Sequence, residues 1–138
     1  MNENPILLVE DHPDDEFLTL NTLRKNRMTN VVVTREAQEA LNYLFARAAE
    51  YGGTHGNPWL DFILLDLKLP KMDGLEFLEI IRGDDRTKDI PVVILSSSQQ
   101  AKDLDRSRSL GVSAYLNKPL DNGKVEFLMN SLQNGLSA

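Results

Sequence analysis

At four places in this sequence, polar residues follow a short apolar run directly or within two residues and carry side chains suited to phosphate chemistry. In chain order they are Glu10-Asp11, Asp66, Ser96 and Lys118. Carboxylates brought within a few ångströms repel one another, by about 4 kcal/mol per pair at 4 Å and an effective dielectric of 20. Mg²⁺, which binds carboxylates, water and phosphate oxygens, would offset this repulsion. An aspartate in such a site can attack phosphorus and form an aspartyl phosphate. The pattern therefore indicates phosphoryl transfer to Asp66.

Lys118 and Ser96 supply the other groups that such a reaction needs. An ammonium and a metal ion neutralise charge on the transferring group, and a hydroxyl can donate a hydrogen bond to it. Each residue alone has an ordinary explanation, because an aspartate after a strand often caps the next helix. The acids at 14–16 likewise suit a helix N-terminus. The conjunction of four strand ends favours the chemical interpretation.

The two histidines do not enter this site. No second histidine stands at ligand spacing from His12 or His55, so both are interpreted as surface residues.

Five short apolar runs must position these residues. They are Ile6–Val9, Val31–Val33, Phe62–Leu65, Val92–Leu95 and Ser113–Leu116. Continuous rather than alternating apolar character is typical of strands buried on both faces of a parallel sheet. Helical patterns separate the runs, and this alternation predicts a doubly wound α/β fold. Ligands bind at the carboxyl ends of such strands, where the polar residues would converge.

Apolar residues at helical spacing predict the inward faces of the helices. They are Phe17, Leu20 and Leu23, then Ala37, Leu41, Leu44, Phe45 and Ala48, then Leu75, Leu78 and Ile81, and finally Val125, Phe127, Leu128, Met129 and Leu132. The segment 99–110 has only Ala101, Leu104 and Leu110 as apolar anchors, so we expect a weakly held helix. The broad apolar surface of the last helix allows two interpretations, burial in the core or contact with a partner.

Length and composition limit the function classes. The 138 residues predict one domain over 1–138 with no output domain. A net charge of −6 argues against binding to nucleic acid or to an anionic membrane. The chain has no cysteine, no long apolar run and no secretion signal at its N-terminus, so we expect a cytoplasmic protein. The stretch 51–58 is predicted to be an exposed loop.

Four motifs resemble the receiver domain of bacterial two-component response regulators, and the resemblance extends over nearly the whole chain. They are ILLVEDHPDD at 6–15, ILLDLKLPKMDG at 63–74, IPVVILSS at 90–97 and AYLNKP at 114–119. The resemblance implies a flavodoxin-like, five-stranded parallel sheet of order 2-1-3-4-5 with helices on both faces. It also implies a protein that catalyses only its own phosphorylation and dephosphorylation, and is not otherwise an enzyme.

The resemblance also implies a role for each site residue. Asp66 is similar to the phosphoacceptor of the family. The Mg²⁺ ligands would be Asp11, Asp66 and the backbone carbonyl of Lys68, with Glu10 acting through water. Glu10 stands where aspartate is commoner in the family. The remaining matches are Ser96 as the switch hydroxyl, Tyr115 as the aromatic switch, and Lys118 as the phosphate-binding lysine, followed by a cis peptide bond to Pro119.

Two finer features resemble the stand-alone phytochrome response regulators of cyanobacterial type. They are the long segment 47–60 and the loop LPKMDG at 69–74. This resemblance implies a sensor histidine kinase of the phytochrome type as partner. It also implies a homodimer that forms through the region of helix 4, strand 5 and helix 5.

Three other functions are compatible with a fold of this kind. A phosphatase of the haloacid-dehalogenase type would need a second aspartate two residues after the nucleophile, where this chain has Lys68. A flavodoxin-like electron carrier would need hydroxyl groups in the loop after strand one, which is acidic here. A phosphate-independent adaptor that keeps the site unused stays open.

Overall fold

A computed structural model describes residues 4–51 and 58–135. Strands and helices alternate within these ranges, in the order β1 (Ile6–Val9), α1 (Pro13–Lys25), β2 (Val31–Thr34), α2 (Ala37–Glu50), β3 (Ile63–Leu65), α3 (Gly74–Arg82), β4 (Val92–Ser96), α4 (Ala101–Ser109), β5 (Ala114–Asn117) and α5 (Asn122–Gly135). The predicted alternation is confirmed, and the strand bounds differ from the predicted runs by one residue at most. None of the described helices is long and apolar enough to cross a membrane.

The five strands form one parallel sheet in the order β2-β1-β3-β4-β5, as predicted. The register pairs Val9 with Leu65, so β1 and β3 end at the same level. The backbone N–H of Asp66 continues this ladder by donating to the carbonyl of Val9 at 3.1 Å. The residues that follow β1 and β3 therefore emerge side by side at one edge of the sheet.

Apolar side chains of the strands supply two core layers, one on each face of the sheet. Leu7, Val9, Ile63 and Leu65 pack with the buried residues of α2 and α3. Ile6, Leu8, Phe62 and Leu64 pack with α1 and α5 on the other face. Trp59 is 1% exposed and belongs to the first layer. Burial on both faces explains why the strands are continuous apolar runs in the sequence.

The helix faces follow the predicted spacing in α2 and α3, whereas α1 and α5 each depart from it at one predicted residue. Phe17 is 67% exposed, because α1 buries Thr19 and Leu23 instead, so its predicted inward position is wrong. Phe127 is 55% exposed, which shows that α5 does not bury a broad apolar face. Ala101 is exposed and anchors nothing, and the one side chain that α4 buries fully is Ser107.

Arg82 joins two connecting segments, α3 to β4 and α4 to β5, at the edge of the sheet where the strands begin. Its guanidinium donates to the carbonyls of Leu110 at 2.7 Å and Ile90 at 2.8 Å. It also donates to the carbonyls of Lys88 at 3.0 Å and Gly111 at 3.3 Å. Because one side chain satisfies four backbone acceptors, Arg82 fixes the entries to β4 and β5 at the end remote from the polar cluster.

Candidate functional site

Three carboxylates meet where β1 and β3 end. Glu10 is 1% exposed and Asp66 is 6% exposed, whereas Asp11 is exposed to solvent. One oxygen from each of these three residues lies within 4.8 Å of the others. The predicted convergence of Glu10, Asp11 and Asp66 is therefore confirmed, and it produces a mostly buried concentration of negative charge.

Lys118 extends its ammonium group into this cluster from the segment between β5 and α5. Its Nζ lies 2.7 Å from Oε1 of Glu10, 2.8 Å from Oδ2 of Asp15 and 2.9 Å from Oδ2 of Asp66. The side chain of Lys118 is only 13% exposed. The peptide bond between Lys118 and Pro119 is cis, as the resemblance implies. An ammonium has three N–H donors, so the three carboxylates match its full donor capacity.

The backbone of this segment is fixed independently of the ammonium. The N–H of Lys118 donates to the carbonyl of Ser96 at 3.1 Å. Nζ of Lys124, in the first turn of α5, donates to the carbonyls of Asn117 at 2.8 Å and Pro119 at 2.9 Å. Both neighbours of Lys118 are therefore held by Lys124, which sequence analysis did not single out.

The electrostatics of the cluster are most visible in Glu10. Burial raises the pKa of Glu10 from its ordinary 4.5 to about 7, and the charge of Asp66 acts in the same direction. Hydrogen bonds with Lys118 and with the backbone N–H of His12 lower that pKa but do not outweigh burial. Burial lowers the pKa of Lys118, but its bonds to Asp15, Glu10 and Asp66 outweigh this and raise it above its usual value. The carboxyl group of Glu10 is therefore partly protonated near neutral pH.

The segment after β3 holds Asp66 in place from its own side. The backbone N–H of Lys68 donates to Oδ1 of Asp66 at 3.1 Å, while the Lys68 side chain is exposed. Gly74 opens α3 directly against this segment and donates its N–H to the carbonyl of Leu67 at 2.8 Å. A Cβ at position 74 would lie 2.5 Å from the carbonyl oxygen of Asp66, so only glycine fits without a shift.

The two residues expected to act as a switch meet at Ser98. Ser96 is fully buried at the end of β4, and its Oγ accepts from the backbone N–H of Ser98 at 3.2 Å. The hydroxyl of Tyr115 donates to the carbonyl of Ser98 at 3.0 Å. The hydroxyl of Ser98 in turn donates to Oδ2 of Asp103, in the first turn of α4, at 2.6 Å. Ser98 therefore links Ser96, Tyr115 and α4, a role that the sequence did not reveal.

Asp15 is a third residue of the site, after Lys124 and Ser98, that sequence analysis missed. The sequence alone assigns the acids at 14–16 to a helix N-terminus, and Asp15 does occupy the first turn of α1. His12 is the N-cap of α1 and its Nδ1 accepts from the backbone N–H of Asp15 at 3.4 Å, which agrees with its interpretation as a surface residue. His55 and most of the predicted loop at 51–58 lie outside the described residues.

The sequence and the geometry agree with one known family. Its model, described as the response regulator receiver domain, matches residues 6–128. The chain belongs to this family. As a receiver domain it carries its acidic cluster, its lysine and its strand-four serine at the carboxyl edge of a flavodoxin-like sheet.

Several relatives of this receiver domain are phytochrome response regulators. The structure of the bacteriophytochrome response regulator AtBRR is 45% identical, with a TM-score of 0.78 over 94% of this chain and 92% of that one. The phosphorylated cyanobacterial phytochrome response regulator RcpA is 34% identical, with a TM-score of 0.71 over 96% and 88% of the two chains. Response regulator Rcp1 of Synechocystis is 36% identical over 82% of this chain and 75% of its own. Its Mn²⁺-bound form has been solved, with a TM-score of 0.71, 33% identity and coverage of 95% and 90%.

Proposed function

We propose that this receiver domain accepts a phosphoryl group from a histidine kinase on Asp66, in a reaction that requires Mg²⁺. The observation that carries the proposal is the environment of the Asp66 carboxylate. Its Oδ1 accepts from the backbone N–H of Lys68, and its Oδ2 lies 2.9 Å from the ammonium of Lys118. Asp66 is thereby oriented as a nucleophile next to a cation that can follow the incoming phosphoryl oxygens.

The donor set of the cluster fits a hard divalent cation. Glu10, Asp11 and Asp66 bring carboxylate oxygens within 4.8 Å of one another, and Mg²⁺ prefers oxygen ligands of this kind. Asp11, Asp66 and the carbonyl of Lys68 would hold the ion directly, with Glu10 acting through water. When bound, Mg²⁺ would neutralise charge on the transferring group. The solved Mn²⁺-bound form of Rcp1 supports this assignment by similarity.

Four residues of the chain have separate roles in the proposed reaction. Asp66 attacks phosphorus as the bond from phosphorus to the histidine nitrogen of the kinase breaks. Lys118 redirects one of its N–H hydrogen bonds from Asp66 to a phosphoryl oxygen. The hydroxyl of Ser96 donates a hydrogen bond to the same phosphoryl group, and Oγ of Ser96 then gives up its hydrogen bond from the N–H of Ser98. Tyr115, bonded to the carbonyl of Ser98, responds to that change. The protein acts on its own aspartate and on no other substrate.

We propose that the surface formed by α4, β5 and α5 transmits the signal. Through this surface the protein forms a homodimer that is sensitive to phosphorylation. Phe127 is 55% exposed on α5, and Tyr115 is half-buried on β5. The similarity to RcpA and AtBRR supports a kinase of the phytochrome type as donor. The net charge of −6 supports a protein partner over nucleic acid or an anionic membrane.

The decisive experiment is the intact mass of the protein after incubation with acetyl phosphate, with and without Mg²⁺. We expect the wild type to gain one phosphoryl group only with the metal, and Asp66→Asn to gain none. Asp89→Asn, at an exposed aspartate, is the matched control and should behave as the wild type. Absence of a gain in the wild type would contradict the proposal and favour the phosphate-independent adaptor.

A further inference from the structure

We propose that Asp15 is a positioning residue for Lys118, and that it holds the ammonium in the cleft throughout the phosphorylation cycle. The inference rests on the proposed phosphoryl transfer to Asp66. Oδ2 of Asp15 and Nζ of Lys118 form an ion pair at 2.8 Å, which joins residues 103 positions apart in the chain. This contact ties the first turn of α1 to the segment between β5 and α5.

Asp15 differs from the other two partners of Lys118. Glu10 and Asp66 belong to the carboxylate group that could hold a metal ion, together with Asp11, and Asp15 does not. Binding of a cation and arrival of a phosphoryl group would both compete with Lys118 for Glu10 and Asp66. Among the described ion-pair partners of Lys118, only Asp15 is left out of that competition.

The location of Asp15 suits a permanent anchor. Its carboxylate lies in the first turn of α1, where the positive end of the helix dipole favours a negative charge. Its side chain is 34% exposed and therefore lies at the rim of the cleft, above the buried Glu10 and Asp66. Lys118 is thus held from the solvent side by Asp15 and from the interior by the other two carboxylates.

The contact acts on the end of the lysine side chain and not on its backbone. The Lys118 backbone is fixed by the carbonyl of Ser96, and its neighbours are fixed by Lys124. Loss of the Asp15 carboxylate should therefore release the ammonium without displacing the loop. Asp15→Asn keeps the size of the side chain and removes the charge, which makes it the informative variant.

Asp14 offers a matched control for the electrostatic part of the effect. It is exposed, adjacent in sequence and also in the first turn of α1, yet it is not among the described ion-pair partners of Lys118. Removal of either charge will ease the approach of an anionic phosphodonor. A difference between Asp14→Asn and Asp15→Asn therefore reports the contact with Lys118.

The test measures the rate constant for phosphorylation by acetyl phosphate at saturating Mg²⁺ for the wild type, Asp14→Asn, Asp15→Asn and Asp15→Glu. Loss of one hydrogen bond to a charged group corresponds to a change of roughly tenfold in a rate constant. We therefore expect Asp15→Asn to be phosphorylated about tenfold more slowly than Asp14→Asn. Asp15→Glu should recover part of the loss. A second arm measures reductive methylation of Lys118 without metal or phosphodonor, with Lys124 as internal reference. Lys118 should be labelled faster in Asp15→Asn only.

Two results would overturn the inference. Equal rates and equal Lys118 labelling in Asp14→Asn and Asp15→Asn would show that Asp15 contributes charge and nothing more. Faster phosphorylation of Asp15→Asn than of Asp14→Asn would show that Asp15 competes with the phosphoryl group for Lys118. If the wild type takes up no phosphoryl group, the proposed function fails, while the labelling arm still decides whether Asp15 restrains Lys118.

Discussion

Replacement of Lys118 by methionine measures how strongly the acidic cluster depends on this one ammonium group. The lysine side chain is 13% exposed and lies within 2.9 Å of carboxylate oxygens from Glu10, Asp15 and Asp66. Removal of one partner from a buried ion pair costs about 3–5 kcal/mol. Asp15 is partly exposed and Glu10 can take up a proton, so we expect the lower end of that range. Lys118→Met should lose about 3 kcal/mol of unfolding free energy at about pH 8.

The loss of unfolding free energy in Lys118→Met should be smaller at lower pH, because Glu10 is then protonated. The pKa of Glu10 in the folded protein is about 7, against an ordinary 4.5. A carboxyl group whose pKa is raised by folding stabilises the folded state most at a pH below its ordinary pKa. This contribution is lost as the pH rises through the pKa of the folded protein. Without Lys118 the pKa of Glu10 should rise further, so protonation relieves its repulsion with Asp66. At about pH 5.5 we therefore expect roughly half the loss.

Chemical denaturation followed by far-ultraviolet circular dichroism gives these free energies for wild type and variant at both pH values. Lys102→Met, at an exposed lysine, controls for the change of residue type. Millimolar Mg²⁺ should restore most of the stability of Lys118→Met, because a ligand that binds only the folded state stabilises it. A loss that depends on neither pH nor Mg²⁺ would refute the reasoning that uncompensated carboxylates cause it.

Three further predictions follow from the same structure. Mg²⁺ affinity should fall up to about tenfold between about pH 8 and 6, because Glu10 has a pKa of about 7; titration calorimetry showing constant affinity would contradict this. Gly74→Ala should cost about 3 kcal/mol in denaturation, since its Cβ would meet the Asp66 carbonyl at 2.5 Å, whereas Gly83→Ala, with its nearest contact at 3.4 Å, should cost far less. Arg82→Lys should cost about 2 kcal/mol or more by losing bonds to backbone carbonyls, and an equal effect of the exposed Arg24→Lys would count against that role.

The strands and most of the site were predictable because of where polarity enters the sequence. Strands buried on both faces leave polar residues only at their ends, so Glu10, Asp66 and Ser96 stand out after their apolar runs. In a parallel sheet these ends share one edge, which brings the side chains together without further information. The position of Lys118 followed in the same way from the fifth strand.

Contacts that depend on helix orientation were not predictable. The partnership of Asp15 with Lys118 requires the rotation of α1 and the course of the segment after β5, neither of which leaves a sequence pattern. Phe17 shows the same limit, because periodicity gives the spacing of a face but not which face turns inward. Ser98 went unnoticed because two of its links use backbone atoms, which any residue provides.

The burial of Trp59 has a practical consequence for spectroscopy. It is the single tryptophan of the chain, it is 1% exposed, and its ring stacks on Tyr51 with centroids 6.4 Å apart. It precedes β3 and so lies at the opposite end of that strand from Asp66. Its intrinsic fluorescence should therefore change when the core unfolds and change little on phosphorylation. Emission and mass spectra of one sample then distinguish a variant that has lost its fold from a variant that folds but takes up no phosphoryl group. Each of the variants described above needs this distinction.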